Sequence, residues 1–190
     1  MGKVVLVVGT PGAGKSSVLS GVAKDYTVVN MGTEMFDRAA KEYHIKNRDE
    51  LREYHSKHIE KEVKLRKDVL RYVSGMDKNI LFDTHMSVKL GSRFTPGFNM
   101  EDIKLLKGLV AIVYVDANAD EIFRRRNEDL SRARGVEDEE DITNQREINL
   151  SLISTYAAIL GIPVYIIKNN DGKLRESVAQ MKHIAKEVFG

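Results

Sequence analysis

Five short runs of apolar, largely β-branched residues punctuate the chain, at 4–8, 26–29, 79–82, 109–115 and 164–167. Each is close to continuous. A strand with one wet face alternates between apolar and polar residues. A strand buried on both faces does not, and that is the mark of a parallel sheet covered by helices on each side. Between the runs the apolar period changes to that of a helix. Helical stretches are predicted at 16–24, 33–45, 48–74, 101–107, 142–160 and 173–188. In the third of these, Leu65, Val69, Tyr72 and Met76 fall at helical spacing and form one apolar stripe. The alternation of strand and helix predicts a three-layer α/β domain with right-handed crossovers.

Two connections exceed a simple crossover. Residues 32–78 hold two helical stretches where one would suffice, and 117–142 are densely charged with little apolar material. Excursions of this kind in α/β enzymes grip or cover a ligand. They are expected to be insertions in one domain of 190 residues. A domain of that length buries a core without staples. The chain has no cysteine, which excludes disulfides, thiolate metal sites and cysteine nucleophiles and fits a cytoplasmic location. The apolar runs are too short to span a bilayer. Residues 1–9 lack the charged leader and apolar core of a signal peptide. The formal charge of +2 gives no overall pull, so neither nucleic acid nor membrane is an expected partner.

The chemistry begins where the first apolar run ends. Gly9, Thr10, Pro11, Gly12, Ala13, Gly14, Lys15 and Ser16 fit G-x-x-x-x-G-K-[ST], between a strand and an apolar-periodic helix. The glycines let the backbone wrap an anion, and the loop and helix-start N–H groups point at phosphate oxygens. Lys15 can reach the β- and γ-phosphates, and the Ser16 hydroxyl can hold Mg²⁺. Asp83 ends the run 79–82, the place of a carboxylate that orients the metal, through water in such sites; Ser16 and Asp83 are thus the candidate metal residues.

Residues 124–134 carry five arginines against Glu128 and Asp129, and no lysine. Arginine's planar fork fits phosphate oxygens bidentately and keeps its charge. Following the fourth strand, the run is placed to supply transition-state arginines. The acidic run Glu137, Asp138, Glu139, Glu140, Asp141 is a solvated face or an internal counter-charge. Thr33 is a candidate cap where the second strand opens into a helix. Arg48 and Arg52 share one helical face, and Lys89 and Arg93 lie in a loop containing Gly91, Pro96 and Gly97. Of five histidines, His85 follows Asp83 and is the one placed for function. His44, His55, His58 and His183 are expected at the surface, and His55 and His58 lack a third ligand for a metal.

Together these motifs resemble archaeal-type adenylate kinase, a branch of the nucleoside monophosphate kinases. The similarity covers essentially the whole chain. The matching patterns are the phosphate loop at 9–17; Asn30-Met31-Gly32-Thr33-Glu34-Met35-Phe36; Arg48-Asp49-Glu50-Leu51-Arg52; Asp83-Thr84-His85 with Lys89 and Thr95-Pro96-Gly97; and Arg125, Arg126, Asp129, Arg132 and Arg134. The resemblance implies the P-loop NTPase fold, with a five-stranded parallel sheet, helices on both faces, an AMP-binding flap and a lid. It implies the reaction ATP + AMP ⇌ 2 ADP with Mg²⁺. Gly12, Ala13, Gly14, Lys15, Ser16 and Ser17 would hold the ATP phosphates, with Arg125 near its adenine. Gly32, Thr33, Arg52, His85 and Lys89 would face AMP. Arg132 and Arg134 would join Lys15 and Asp83 in catalysis. A homotrimer is also implied.

The chain departs from the family at Asn149-Leu150, where an Asn-Arg pair is usual; Arg146 lies one helical turn earlier. The loop from Lys89 to Pro96 is about a residue longer than the family's. A kinase of the same fold acting on UMP, CMP or another small acceptor such as shikimate is the alternative. A P-loop regulatory module is a further one, although the base-reading Asn-Lys-x-Asp of GTPase switches is absent.

Overall fold

The computed structural model describes residues 2–128 and 138–190, without the side chains of Arg52 and Leu90. Five strands form one parallel sheet: β1 (Val4–Gly9), β2 (Thr27–Asn30), β3 (Ile80–Asp83), β6 (Leu109–Asp116) and β7 (Val164–Lys168), in the order β2-β3-β1-β6-β7. The near-continuous runs are explained directly. Val4, Leu6 and Val8 of β1 point into one core with Ile80, Phe82, Ile112 and Tyr114. Val5 and Val7 point into the other, with Leu81, Val113 and Val115. Every side chain of β1 is buried, so no position is left for a polar residue.

Helices α2 (Met31–Tyr43), α4 (Ile59–Gly75) and α7 (Glu139–Leu160) cover the first face. Helices α1 (Lys15–Ser20) and α8 (Leu174–Phe189) cover the second. Short helices α3 (Arg48–Lys57), α5 (Met100–Leu105) and α6 (Ala119–Glu128) complete the set.

Four local features differ from the sequence expectation. The stretch 48–74 is two helices, broken at His58, which leaves helical space (φ −135°, ψ 65°). Neither glycine nor proline marks the break. It coincides with tertiary contacts: Tyr54 stacks on Tyr43 of α2 at 5.0 Å, and Lys61 donates to the Tyr54 hydroxyl at 2.7 Å. Second, α2 begins at Met31, so Thr33 is not the cap. Asn30 is, accepting the Thr33 N–H at 2.8 Å. Third, residues 87–96 are not a loop but an antiparallel hairpin, β4 (Ser87–Leu90) and β5 (Arg93–Pro96). Gly91 sits at the first turn position with φ +62°, as a two-residue hairpin turn requires. Fourth, the acidic run opens α7. Asp138 and Asp141 form a reciprocal capping box, and the acids of the first turn oppose the positive helix end.

His55 is not a surface residue. It is half-buried, and among the described residues its Nε2 is enclosed without a hydrogen-bond partner. Burial, with the Arg66 charge nearby, holds its pKa below the ordinary histidine value. The folded state therefore favours the neutral ring. Its contribution to stability is complete above the unfolded pKa and is lost as pH falls through that value toward the folded one. Urea unfolding at pH 7.5 and pH 5.5 is expected to show a smaller acid-induced loss of stability for His55→Gln than for the wild type. Equal losses would show that His55 takes its proton in the folded chain as freely as in water.

Candidate active site

In a parallel sheet the carboxyl ends of the strands share one edge, and there the functional side chains converge. The register Asn30↔Asp83↔Val7 places Asn30 beside Asp83 at the ends of neighbouring strands. Asn30 Nδ2 donates to Asp83 Oδ2 at 2.6 Å, and the Lys15 ammonium is hydrogen-bonded to Asp83 Oδ1. Both charged residues are buried, so each depends on the other to offset lost hydration. The amide of Asn30 then works in two directions. Its nitrogen holds Asp83, while its Oδ1 caps α2 and accepts the Thr33 hydroxyl at 3.1 Å. Arg48 of α3 donates to that same hydroxyl at 2.9 Å. Gly32 lies between them: a Cβ there would stand 3.4 Å from Asn30 Oδ1 and 3.6 Å from the Arg48 guanidinium. A hydrogen-bonded chain thus runs from the phosphate-loop lysine to the 32–78 insertion.

The loop itself turns through Gly12 (φ +95°) and Gly14 (φ +82°). A side chain at Gly14 would be strained by that φ and would meet Asn169 Nδ2 at 2.2 Å. Asn169 is buried and donates to the Ala13 carbonyl at 2.9 Å. Among the described residues its Oδ1 is enclosed with no partner. Ser16 and Ser17 open α1 and are exposed. Thr10 is buried, with its Oγ1 2.8 Å from the Tyr114 hydroxyl. Burial pushes the Tyr114 pKa up to about 12, so that hydroxyl remains neutral at any physiological pH.

Of the described arginines of α6, Arg124 is exposed, whereas Arg125 and Arg126 turn toward the phosphate loop. Arg125 binds Asp171 and donates to the Asn169 carbonyl at 3.0 Å. Arg126 is buried and donates to the Pro11 carbonyl at 2.6 Å. Arg124 pairs with Asp171. The helix therefore braces the loop from above its carbonyls. Arg132 and Arg134 lie outside the described residues.

Three comparisons bear on this site. The AAA domain family matches residues 8–143, from the end of β1 into the first turn of α7. The adenylate kinase of Methanothermobacter thermautotrophicus is 34% identical over 96% of this chain and 98% of its own. That of Methanocaldococcus jannaschii is 34% identical over 97% of this chain and 98% of its own. The chain belongs to the archaeal adenylate kinase family. Its fold is also that of more distant kinases. A solved shikimate kinase of Acinetobacter baumannii superposes with a TM-score of 0.61 over 98% of this chain and 94% of that one, at 16% identity.

As an adenylate kinase family member, the chain carries the family patterns into place with some changes of partner. Lys89, on β4, is paired with Asp141 in the first turn of α7. That gives one member of the acidic run a counter-charge role. His85 is exposed, between β3 and β4. Arg52 is in α3, one turn beyond Arg48. Gly97 packs so closely that a Cβ would lie 2.3 Å from the His85 carbonyl, which accounts for glycine after Thr95-Pro96. Arg146 lies on α7, one turn before Leu150. Its guanidinium grips Asp116 through two 2.8 Å bonds. Burial alone would raise the Asp116 pKa, but Arg146 and Lys168 outweigh it and hold the carboxyl below the ordinary range.

The sequence singled out Asn30 and Asn149 within patterns but assigned no contact to them, and it assigned no role to Asn169, Tyr114 or Gln145. Only Asn30 carried a local signal, as a cap three residues before Thr33. Gly14→Ala is expected to raise the dissociation constant for ATP at least about tenfold, since both backbone and Asn169 must shift. Isothermal titration checks it; unchanged binding would show that the loop adopts another conformation with ATP.

Proposed function

We propose that the protein is an adenylate kinase in activity: it transfers the γ-phosphoryl group of ATP reversibly to AMP, giving two ADP, with Mg²⁺. The observation that carries this reading is the continuous link Lys15–Asp83–Asn30–Thr33–Arg48. It sets a phosphate-loop lysine beside an insertion equipped with its own cation, as a transfer between two phosphorylated nucleotides needs. Near-full-length identity to archaeal adenylate kinases supports the same acceptor.

The AMP phosphate oxygen is already anionic, so no general base is required. It attacks the γ-phosphorus in line, and the bond from that phosphorus to the β–γ bridging oxygen breaks, leaving ADP on each side. The task of the protein is to bring two polyanions together and hold them aligned. Lys15 and the loop N–H groups would bind the ATP phosphates. Gly32, Thr33, Arg52, His85 and Lys89 would face AMP, and Arg125 the adenine of ATP. Arg132 and Arg134, in a lid within 117–142, would meet the transferring group. The donor set fits magnesium: the Ser16 hydroxyl and the Asp83 carboxylate are hard oxygen ligands, and Mg²⁺ in such sites keeps waters and phosphate oxygens for the rest. Held by those residues, Mg²⁺ would offset the negative charge of the phosphates. Among the described residues, no helix is long and apolar enough to cross a membrane. A homotrimer working in the cytoplasm belongs to the same proposal.

A panel of AMP, UMP, CMP and shikimate with Mg·ATP, read as ADP formation, is expected to show AMP preferred at least about tenfold in kcat/KM. Higher turnover with another acceptor would overturn the assignment. Lys15→Ala is expected to lose nearly all AMP-dependent turnover, roughly a thousandfold, while the circular dichroism spectrum is retained. Arg132→Ala is expected to lower kcat more than it raises the KM for ATP, as for a group acting in the transition state. An unchanged kcat would place Arg132 outside the transfer.

A further inference from the structure

Helix α7 crosses between the hairpin and the phosphate loop, and one side of it carries polar residues where a core helix would ordinarily be apolar. Asp141, Gln145 and Asn149 stand four residues apart, so they project from the same side. Each reaches β4. Asp141 pairs with Lys89, Gln145 Nε2 donates to the Ser87 carbonyl at 3.3 Å, and Asn149 Oδ1 accepts the Ser87 hydroxyl at 2.7 Å. Two turns beyond Asn149, Tyr156 donates to the Phe98 carbonyl at 2.6 Å, just after β5.

The same two amides also reach the phosphate loop. Asn149 Nδ2 donates to Thr10 Oγ1 at 3.2 Å. Gln145 Oε1 accepts from Arg126 at 3.1 Å, and Arg126 in turn holds the Pro11 carbonyl. Gln145, Asn149, Ser87 and Thr10 are each no more than 2% exposed. Buried amides with no partner would be costly, whereas these have partners on both ends. The two routes are parallel: Ser87–Asn149–Thr10 and Ser87–Gln145–Arg126–Pro11. Both begin at one residue, two places before Lys89 on the same strand and, by strand alternation, on the same face.

We propose that Gln145 and Asn149 are positioning residues for the transfer: they fix the distance and orientation between the acceptor-side hairpin and the phosphate loop, with Ser87 as the shared anchor. The inference rests on the reading of ATP and AMP as substrates. In-line transfer is sensitive to displacements of about an ångström. Hydrogen bonds fix position where an apolar contact of equal volume would permit sliding. Ser87, Gln145 and Asn149 touch neither nucleotide in this assignment, so their loss should misalign the acceptor while leaving ATP binding nearly intact.

The test uses Asn149→Leu, which keeps the branched shape of the side chain and removes both bonds, and Ser87→Ala, which removes one hydroxyl. Both are assayed well below their unfolding midpoints. Each is expected to lower AMP-dependent kcat roughly tenfold while the ATP dissociation constant, measured without AMP, stays within about twofold. ATP hydrolysis to water should then make up a larger share of the ADP formed. The double variant should be no slower than Asn149→Leu alone, because the two residues share one bond. A lowered melting temperature with unchanged kcat, an ATP affinity that falls as far as kcat, or additive losses would each overturn the proposal. Should Asn149→Leu not fold, Ser87→Ala decides by the same readouts. Wild-type protein without AMP-dependent turnover would refute the substrate reading, whereas normal wild-type turnover with unaltered variants would refute the positioning role alone.

Discussion

The carboxylate of Asp83 is the junction on which the site depends. It ends β3, takes the Lys15 ammonium on one oxygen and the Asn30 amide on the other, and so ties the ends of β2 and β3 to the start of α1 at the phosphate loop. A buried charge of this kind must be paired, and removing either partner would leave the other uncompensated. The same requirement orders its surroundings. Asn30 can hold Asp83 because it is at the matching register position, and it can cap α2 because the helix starts directly after it. One side chain therefore sets both the charge at the phosphate loop and the entry of the inserted helices.

A second arrangement of charge lies across the same edge. Asp116 ends β6 and is paired in register with Lys168 at the end of β7, while Arg146 reaches it from α7. Arg125 and Arg126 approach the loop from α6 by binding carbonyl oxygens. The low net charge of the chain conceals this placement. Cations are concentrated at the carboxyl ends of the strands, where each is held by a carboxylate or a carbonyl, and a polyanionic ligand would meet them already oriented.

Two parts of the candidate site were legible in the sequence. The phosphate loop follows from glycine spacing and its lysine, and Asp83 from its place after an apolar run. The hairpin at 87–96 was missed because each strand is only four residues long and ends at Pro96, although Ser87 to Leu90 and Arg93 to Thr95 alternate polar with apolar about a Gly91-Ser92 turn. The break at His58 was missed because it comes from Tyr43, Tyr54 and Lys61 meeting across helices, with no breaker in the sequence. His55 looked exposed among charged neighbours, but its burial is a matter of which helices pack on it.

The sequence by itself determined the layers, the sheet, the loop that would cradle phosphate and the family to which the chain belongs. These rest on local periods and short fixed spacings, which a linear pattern preserves. Only the tertiary structure decided who partners whom: Arg146 with Asp116, Lys89 with Asp141, and the amides of Gln145 and Asn149 with the hairpin and the loop. Those pairs join residues 30 to 139 positions apart. Their geometry is set by strand register and helix packing, and no local preference of an arginine or an amide encodes it.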